Sequence, residues 1–341
     1  MTVRVRLVVL AVVFVLAIGA AVGYLIYAKA QTANEAAAAP AVPETSDVAA
    51  ILAENHVVFR SSALGDSYGK LATVALADPG GPRAVLGSSC ERVYATWTNG
   101  VCITAERGIA AKYGVQMLDA QLQPTLSTAL TGLPSRARIS ADGSMVATTT
   151  FVTGHSYAAS TFSTATVLQR ADGTVIGNLE DFATTVDGKP FTTVDRNFWG
   201  VTFVDDDTFY ATAFSVSAAK TWLVKGSIAK KTMTSLRSDA ECPSVSPDRT
   251  RVAFKIRQGA AAPGQWHLAV MDLTTGKQTV LAETRSVDDQ VEWLDNDHIL
   301  YALPRTGADA TVSDIWSVPA DGTGTPAVFI PQASSPAVVQ R

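Results

Sequence analysis

One short segment has the residue spacing of a serine-hydrolase nucleophile. Gly65-Asp-Ser-Tyr-Gly69 matches the Gly-x-Ser-x-Gly turn that exposes a reactive serine. That turn works where a strand leads into a helix, with an acid and a histidine supplied later by the same α/β sheet. Ser67 lies instead between two short predicted strands, and no helical pattern follows it. The segment therefore favours a flexible loop over a catalytic serine.

Two acidic triplets have the composition of a calcium loop without its spacing. Asp205-Asp-Asp207 and Asp295-Asn-Asp297 lack the glycine and the closing glutamate of an EF-hand loop. Both stand just before a predicted strand, where Asp and Asn are favoured because their side chains bond the local backbone. They predict turns rather than metal sites.

The histidines do not form a metal-binding pattern. The four are His56, His155, His267 and His298. None is paired with a second ligand type at the i, i+4 spacing of a helical zinc site. A zinc site would need the fold to bring distant ligands together, for example His155 and Glu241. The sequence therefore predicts no metal and no cofactor.

The overall composition excludes some classes of partner. Of the 341 residues, 47% are hydrophobic and 17% are charged, which is typical of a globular protein. The formal net charge of −4 provides no basic surface, so we expect no nucleic-acid partner. Three cysteines are too few for a disulfide-built scaffold.

The N-terminus predicts a membrane segment. Residues 7–28 carry no charge, and at about 1.5 Å per residue they can cross a hydrocarbon core of about 30 Å. Arg4 and Arg6 precede this run and favour a cytoplasmic N-terminus. The run exceeds the roughly 7–15 apolar residues of a signal peptide, which favours a retained anchor. Cleavage at Ala28-Lys-Ala30 and secretion is the alternative.

This pattern divides the chain into three parts. Residues 1–30 form a cytoplasmic stub and a transmembrane signal anchor. Residues 31–48 are rich in Ala and Pro and predict a flexible tether, because they offer little apolar surface to offset the entropy of ordering. Residues 49–341 form the extracytoplasmic domain, and the membrane is the expected partner of the N-terminal helix.

A strand-forming phrase recurs through that domain. Its clearest copy is Ser246-Pro-Asp-Arg-Thr-Arg-Val-Ala-Phe254, a polar turn followed by an apolar strand. The copies are anchored at Val57, Val101, Val146, Phe209, Val252 and Ile299. Most lie 43 to 47 residues apart, close to the repeat of about 40–45 residues in β-propeller blades. One interval of 63 residues contains an insertion, at residues 180–197.

The repeats predict an all-β, six-bladed β-propeller. A second apolar strand follows each anchor, and several end in a tight turn such as Asp172-Gly173 or Thr275-Gly276. The first repeat lacks an inner strand before Val57, whereas Ser335-Pro-Ala-Val-Val339 resembles the inner strand Cys242-Pro-Ser-Val245. We therefore expect the C-terminal strand to close blade one, which removes two open sheet edges.

The fifth and sixth repeats carry a family resemblance. Ser246–Phe254 followed by Leu268-Ala-Val-Met-Asp-Leu-Thr-Thr-Gly276 resembles the repeat of TolB-like (WD40-like) propellers. Over residues 50–340 the chain is similar to membrane-anchored, extracytoplasmic TolB-like proteins of bacteria. The resemblance implies binding to a protein or peptide rather than catalysis. No α/β domain precedes the propeller, which departs from periplasmic TolB.

The propeller geometry predicts where a ligand would bind. One face collects the links between blades and the loops between second and third strands, and unusual residues lie there. The predicted rim contains His155, Tyr157, Arg196, Asn197, Trp199, Glu241, Asp288 and Asp289. The alternative is that Phe198 and Trp199 pack in the core and that the charges only solvate the loops.

The cysteines favour one disulfide. Cys90 and Cys102 flank a hairpin of the second repeat, and Cys242 lies in the fifth, across a six-blade ring. Cys90–Cys102 is therefore the favoured pair in an oxidising compartment, although a regular hairpin would place the two near the upper limit of Cα separation.

Two functions fit these patterns. The first is a non-catalytic binding module that presents its rim to a protein, peptide or envelope ligand. The second is a lactonase-like or hydrolase-like propeller enzyme with a metal on the channel axis. Its metal would have to be held by Glu241, Asp289, Asn197 and His155.

Overall fold

The computed structural model describes residues 2–38, 41–108, 111–152, 163–257 and 264–341. Its first helix, α1, spans Val3–Ala38. The part from Val3 to Gln31 is long and apolar enough to cross a membrane, and its side chains are exposed. By length and composition it can serve as a membrane anchor or as a signal sequence.

The segment between the apolar run and the propeller begins within helix α1. α1 continues to Ala38, because an alanine-rich stretch has high helix propensity. Further on, the chain bonds to the propeller: Arg83 N donates to Pro43 O at 3.0 Å, and Thr45 N donates to Arg83 O at 2.9 Å. A short helix, α2 (Val48–Leu52), follows, and Asp47 caps its start.

Blades one to three follow along the chain as antiparallel sheets. Blade one contains β1 His56–Ser61, β2 Lys70–Ala75 and β3 Ala84–Ser89. Blade two contains β4 Arg92–Ala95, β5 Gly100–Glu106, β6 Lys112–Leu118 and β7 Pro124–Leu130. Blade three contains β8 Leu133–Ile139, β9 Met145–Val152, β10 Ser163–Arg170 and β11 Val175–Asn178.

Blades four to six complete the ring, with 3₁₀ turns at Leu179–Asp181 and Gly307–Asp309. Blade four contains β12 Ala183–Val186, β13 Lys189–Pro190, β14 Arg196–Phe203, β15 Thr208–Ser215, β16 Lys220–Ser227 and β17 Thr232–Ser238. Blade five contains β18 Glu241–Val245, β19 Arg251–Ile256, β20 His267–Asp272 and β21 Gln278–Val280. Blade six contains β22 Glu292–Trp293, β23 His298–Pro304, β24 Ser313–Pro319 and β25 Ala327–Ile330.

The last strand, β26 (Ala333–Val339), closes the ring. It pairs antiparallel with β1, with Val57 opposite Val338 and His56 opposite Val339. The prediction of six blades, with a C-terminal strand as the inner strand of blade one, is confirmed.

The recurring phrase forms the same turn in different blades. The Asp248 carboxylate accepts hydrogen bonds from Ser246 Oγ at 2.6 Å and Thr250 N at 3.0 Å. In blade three, Asp142 accepts from Ser140 Oγ at 2.5 Å. These bonds satisfy the turn backbone and fix where the next strand starts.

The insertion before blade four covers the outside of that blade. β12 pairs parallel with β17, and Ala183 lies opposite Thr232. Phe182, Val186 and Phe191 are buried in the core cluster that blades three and four share. The end of the insertion, at Arg196, leads into the inner strand β14. The insertion therefore packs mainly as an outer layer, and less of it reaches the rim than the sequence suggested.

Blade two contains the disulfide. Cys90 and Cys102 are bonded, with their Cα atoms 5.4 Å apart, and Cys242 is a free, buried thiol. This separation is shorter than a regular hairpin diagonal, because Cys90 precedes β4 and lies outside the paired part of the hairpin.

A buried arginine joins the two ends of the ring. Arg83 donates to Pro331 O at 2.7 Å and to Gln332 O at 3.1 Å, on the link that leads into β26. Its guanidinium lies over the ring of Phe59 at 5.1 Å. Burial lowers the pKa of Arg83 to about 10, against the opposing effect of nearby carboxylates. Arg83 is therefore still charged at neutral pH and ties the closing link to blade one.

Replacing Arg83 by methionine should weaken ring closure. The variant leaves two buried carbonyls without their donor, so we expect the free energy of unfolding to fall by about 2–4 kcal/mol. Urea unfolding of the full chain in detergent micelles, followed by tryptophan fluorescence, measures this change, since all six tryptophans lie in the propeller. The control is Arg107→Met, which removes a side chain that is 72% exposed and should cost less than about 1 kcal/mol. Equal losses in the two variants would contradict the role of Arg83.

Candidate functional site

The inner strands of all six blades begin at the same face of the propeller. These strands are β4, β8, β14, β18, β22 and β26. Because successive strands within a blade are antiparallel, the loops between second and third strands lie on this face too. This is the face on which the sequence placed the rim, and we call it the upper face.

A cavity of about 540 Å³ opens at the upper face of the channel, and we call it the upper chamber. Its lining mixes aromatic rings, charges and a thiol. The main lining residues are Arg92, Arg136, Phe151, Trp199, Glu241, Cys242, Lys255, Trp266 and Asp288. Side chains from blades two to five thus converge on one cavity, together with Asp288 from the link into blade six.

Lys255 is the most deeply buried cation of the chamber. It lies in β19 with only 3% of its side chain exposed, 4.4 Å from the centre of the Trp266 ring. Its ammonium donates to Asp288 Oδ1 at 2.6 Å, and 61% of the Asp288 side chain is exposed. Burial would raise the pKa of Asp288, but Lys255 and the nearby guanidinium of Arg136 hold that pKa below its ordinary value. The two groups form an ion pair at neutral pH.

Two arginines lie beside this pair. A register shift in β8, between Pro134 and Arg136, makes the Ser135 carbonyl available as a shared acceptor. Arg92 Nε donates to it at 2.8 Å and Arg136 Nη1 at 2.9 Å, so the two guanidiniums crowd together. Burial and then the like charge of Arg136 lower the pKa of Arg92. The chamber therefore concentrates positive charge.

Cys242 lies against the same cations. Its backbone has a positive φ of 51°, and its amide donates to Thr212 Oγ1 at 2.8 Å. The Cα of Cys242 would be 2.8 Å from a Cβ at residue 200, so Gly200, itself at φ +65°, has to be glycine. Burial opposes the charged forms of Arg136 and Lys255, but the neighbouring Cys242 and the acidic groups raise the pKa of both.

An ion pair closes the chamber from below. Arg138 Nη1 donates to Glu292 Oε2 at 2.6 Å, Arg138 Nη2 donates to Val291 O at 2.6 Å, and Tyr94 OH donates to Glu292 Oε1 at 3.0 Å. Burial disfavours the charged Arg138, yet Glu292 outweighs it and raises the pKa of Arg138. Gln290 spans the channel beside this pair by donating to the carbonyls of Val201 and Pro243.

Below this floor lies a second cavity of about 320 Å³, the lower chamber, which includes Trp97 and Trp293. In the described residues the two chambers are separate cavities, and Arg138 and Glu292 line the lower one.

The structure brings together three of the predicted rim residues. Trp199, Glu241 and Asp288 line the upper chamber. Trp199 is also a packing residue, since its ring lies 5.7 Å from that of Phe214. His155 and Tyr157 lie outside the described residues.

The other three predicted rim residues stabilise the loops instead. Asn197 is buried and accepts from Thr164 N at 2.7 Å. Asp289 accepts from Gln290 N and from Ala302 N. Arg196 donates to the carbonyls of Thr193 and Glu180. They do not line the upper chamber, because local backbone groups occupy their polar atoms.

Sequence reasoning missed most of the cations. Arg92, Arg136 and Lys255 lie within strands that the apolar pattern defines, where a charged residue would be expected to face water. The available signal was the lysine in Val252-Ala-Phe-Lys-Ile256, since burial of its β-strand neighbours implies that Lys255 needs an acidic partner.

The residues that suggested other chemistry have local roles. Ser67 Oγ donates to Glu44 at 2.6 Å in the loop between β1 and β2. Asp205 accepts from the amides of Asp207 and Thr208, and Asp295 accepts from those of Asp297 and His298, as turn residues do. Within the described ranges, no three His, Cys, Asp or Glu residues form a group that could hold a metal ion.

Comparison with known proteins identifies the fold. No protein-family model matches the chain, and no curated protein matches it. Among solved structures, TolB from Acinetobacter baumannii is 15% identical, covers 84% of this chain and 67% of its own, and has a TM-score of 0.60.

Two further solved structures show weaker similarity. A putative TolB from Agrobacterium tumefaciens is 12% identical over 82% of this chain and 90% of its own, with a TM-score of 0.48. An oligogalacturonate lyase in complex with manganese is 14% identical over 73% of this chain and 71% of its own, with a TM-score of 0.45. At these identities the similarity concerns the fold, and the Acinetobacter protein identifies that fold as a TolB-like propeller.

The ion pair below the chamber offers a direct test of the channel architecture. Glu292→Gln keeps the shape of the side chain but leaves Arg138 buried without a counter-charge, so we expect a loss of about 3–5 kcal/mol in the free energy of unfolding. Removing both charges, in Arg138→Met with Glu292→Leu, should cost less than the single change. Urea unfolding compares the two variants. A double variant less stable than Glu292→Gln would show that the pair is not the main constraint there.

Proposed function

We propose that this TolB-like propeller is a non-catalytic binding module, held outside the membrane by α1, which presents the upper chamber to a protein or peptide. The observation that carries the proposal is the chamber itself. It is a preformed cavity at the channel mouth, with aromatic walls and buried cations. Its volume of about 540 Å³ lies within the roughly 300–1,000 Å³ of ligand-binding pockets.

The surroundings of the chamber suit a macromolecular partner. Phe151 lines the cavity, and Leu133 lies directly opposite it on the neighbouring strand. Both side chains are exposed and form an apolar lip. Trp and Arg are the residues most often responsible for binding energy at protein interfaces, and the chamber contains both. A peptide segment could therefore place an apolar side chain on the lip and a polar group among the cations.

The proposed location rests on two features. α1 is long enough to span a membrane, and Arg4 and Arg6 favour a cytoplasmic N-terminus. The disulfide between Cys90 and Cys102 suits an oxidising compartment. Both support an extracytoplasmic propeller, which is retained at the membrane if α1 is not cleaved.

The absence of catalysis is part of the proposal. The acidic residues that a channel-axis metal would need have other partners. Asp289 binds backbone amides, and Glu241 lies 3.9 Å from Arg257. Asn197 is occupied by Thr164.

Metal analysis distinguishes the hypothesis of a binding module from that of a propeller enzyme. We expect purified full-length protein, dialysed against buffer that contains calcium, zinc and manganese, to retain far less than one metal ion per chain. The measurement is inductively coupled plasma mass spectrometry. One bound metal per chain that Glu241→Gln abolishes would favour the propeller enzyme.

Photo-crosslinking in intact cells tests the binding face. A photoreactive amino acid at Leu133, on the lip, should capture a protein partner that mass spectrometry identifies. The matched control is Val175, which is similarly exposed but lies on β11, the outer strand of the same blade. The partner should then bind purified protein in solution. Equal capture from both positions would contradict a specific site at the channel mouth.

A further inference from the structure

The upper chamber has more positive than negative charge. Its lining contributes Arg92, Arg136 and Lys255 against Glu241 and Asp288. Outside the lining, Arg257 lies 3.9 Å from Glu241, and Asp289 lies 4.0 Å from Arg92. Within the lining, three cations thus face two carboxylates in a partly desolvated space. Interactions between charges are stronger there than in bulk water, so the excess is a strong attraction for an anion.

The cations also retain hydrogen-bonding capacity. In the described part of the chain, Arg136 Nε is buried and has no acceptor. Arg136 Nη2 is 3.7 Å from Asp288 Oδ1 and Arg92 Nη1 is 4.0 Å from Asp289 Oδ1, both beyond hydrogen-bond distance. Guanidinium N–H groups are arranged as a fork that matches a carboxylate. An incoming carboxylate would therefore meet guanidinium N–H groups that make no short hydrogen bond to a carboxylate of the protein.

Asp288 differs from its partners in exposure. Lys255 is 3% exposed and Arg136 is 13% exposed, whereas Asp288 is 61% exposed and lies on the link between β21 and β22. The adjacent residue Asp289, in contrast, accepts hydrogen bonds from the backbone amides of Gln290 and Ala302. The structure gives Asp288 one hydrogen-bond partner, the Lys255 ammonium, within the described ranges. It can leave the cations by a side-chain rotation without breaking the bonds that hold the loop.

We infer that the upper chamber binds the carboxylate of an acidic residue in a peptide, and that Asp288 is the internal counter-ion which this carboxylate displaces. The inference rests on the proposed function of the chamber as a peptide site and names the chemistry of its ligand. Lys255 and Arg136 bind the carboxylate, and Arg92 adds to the positive electrostatic potential of the chamber. The apolar lip of Leu133 and Phe151 receives the neighbouring residue of the peptide.

The inference predicts an increase in affinity when an acidic group is removed. Asp288→Asn abolishes the competing charge, so the acidic peptide should bind roughly fivefold more tightly, which corresponds to about 1 kcal/mol at 1.4 kcal/mol per factor of ten. The probes are acetyl-Leu-Asp-Leu-amide and its neutral counterpart acetyl-Leu-Asn-Leu-amide. Isothermal titration calorimetry at low salt measures their binding to the full chain in detergent micelles.

A matched variant controls for net charge. Asp206→Asn removes the same charge from an exposed turn that follows β14, at the end of that strand away from the chamber. It should leave the affinity for the acidic peptide unchanged. Preference for the aspartyl peptide, together with its increase in Asp288→Asn alone, supports the inference. Equal binding of the two peptides, or weaker binding by Asp288→Asn, overturns it.

The experiments distinguish failure of the carboxylate inference from failure of the proposed binding function. If crosslinking from Leu133 captures a specific partner while the acidic peptide shows no preference, the binding site stands and the carboxylate specificity falls. If neither experiment shows binding, both fall. Free acetate tests whether the chamber recognises a peptide or any small carboxylate. If acetate competes with the peptide at a similar concentration, the apolar lip adds no affinity. The inference of a peptide ligand is then overturned.

Discussion

The pairing of β26 with β1 is the constraint on which the rest of the structure depends. It joins residues from opposite ends of the domain, such as His56 and Val339. Only a closed ring directs the inner strands of all six blades towards one axis, and the upper chamber is lined by side chains from blades two to five and by Asp288 from the link into blade six. Closure also removes the two sheet edges that an open array would expose. The site is therefore a product of topology, and no single blade contains it.

The channel interior shows how the protein tolerates buried charge. The Arg138–Glu292 pair, with Tyr94 and the Val291 carbonyl, satisfies most of its polar groups internally. Desolvation makes such a pair a weak source of stability, although breaking it is costly. The upper chamber is different, because its counter-ion Asp288 is 61% exposed, whereas Glu292 in the lower pair is 8% exposed. The lower pair fixes a structure, whereas the upper cluster keeps unused interaction capacity.

The fold could be predicted from the sequence because each repeat contains the turn and strand pattern of one propeller blade. The turn chemistry of Ser246 and Asp248 recurs at the blade interval, so strand order and blade number follow. The chamber could be predicted only in part, because Arg92, Arg136 and Lys255 are far apart in sequence and meet only when blades two, three and five pack around the channel. Asp288 and Asp289 show the limit most clearly. They are adjacent and chemically identical, yet Asp288 binds the Lys255 ammonium whereas Asp289 binds backbone amides, a difference that only the folded link between β21 and β22 determines.

The extra strand β12 has a consequence for how this propeller can associate with other chains. The outermost strand of a blade normally presents a row of amides and carbonyls, which a peptide can use to extend the sheet. In blade four, residues 183–185 already occupy that position along β17, and the next edge, β13, is a two-residue strand that ends in a proline. Sheet extension by a foreign segment is thus blocked at blade four. A partner that approaches the propeller from this side has to bind by contacts other than sheet extension.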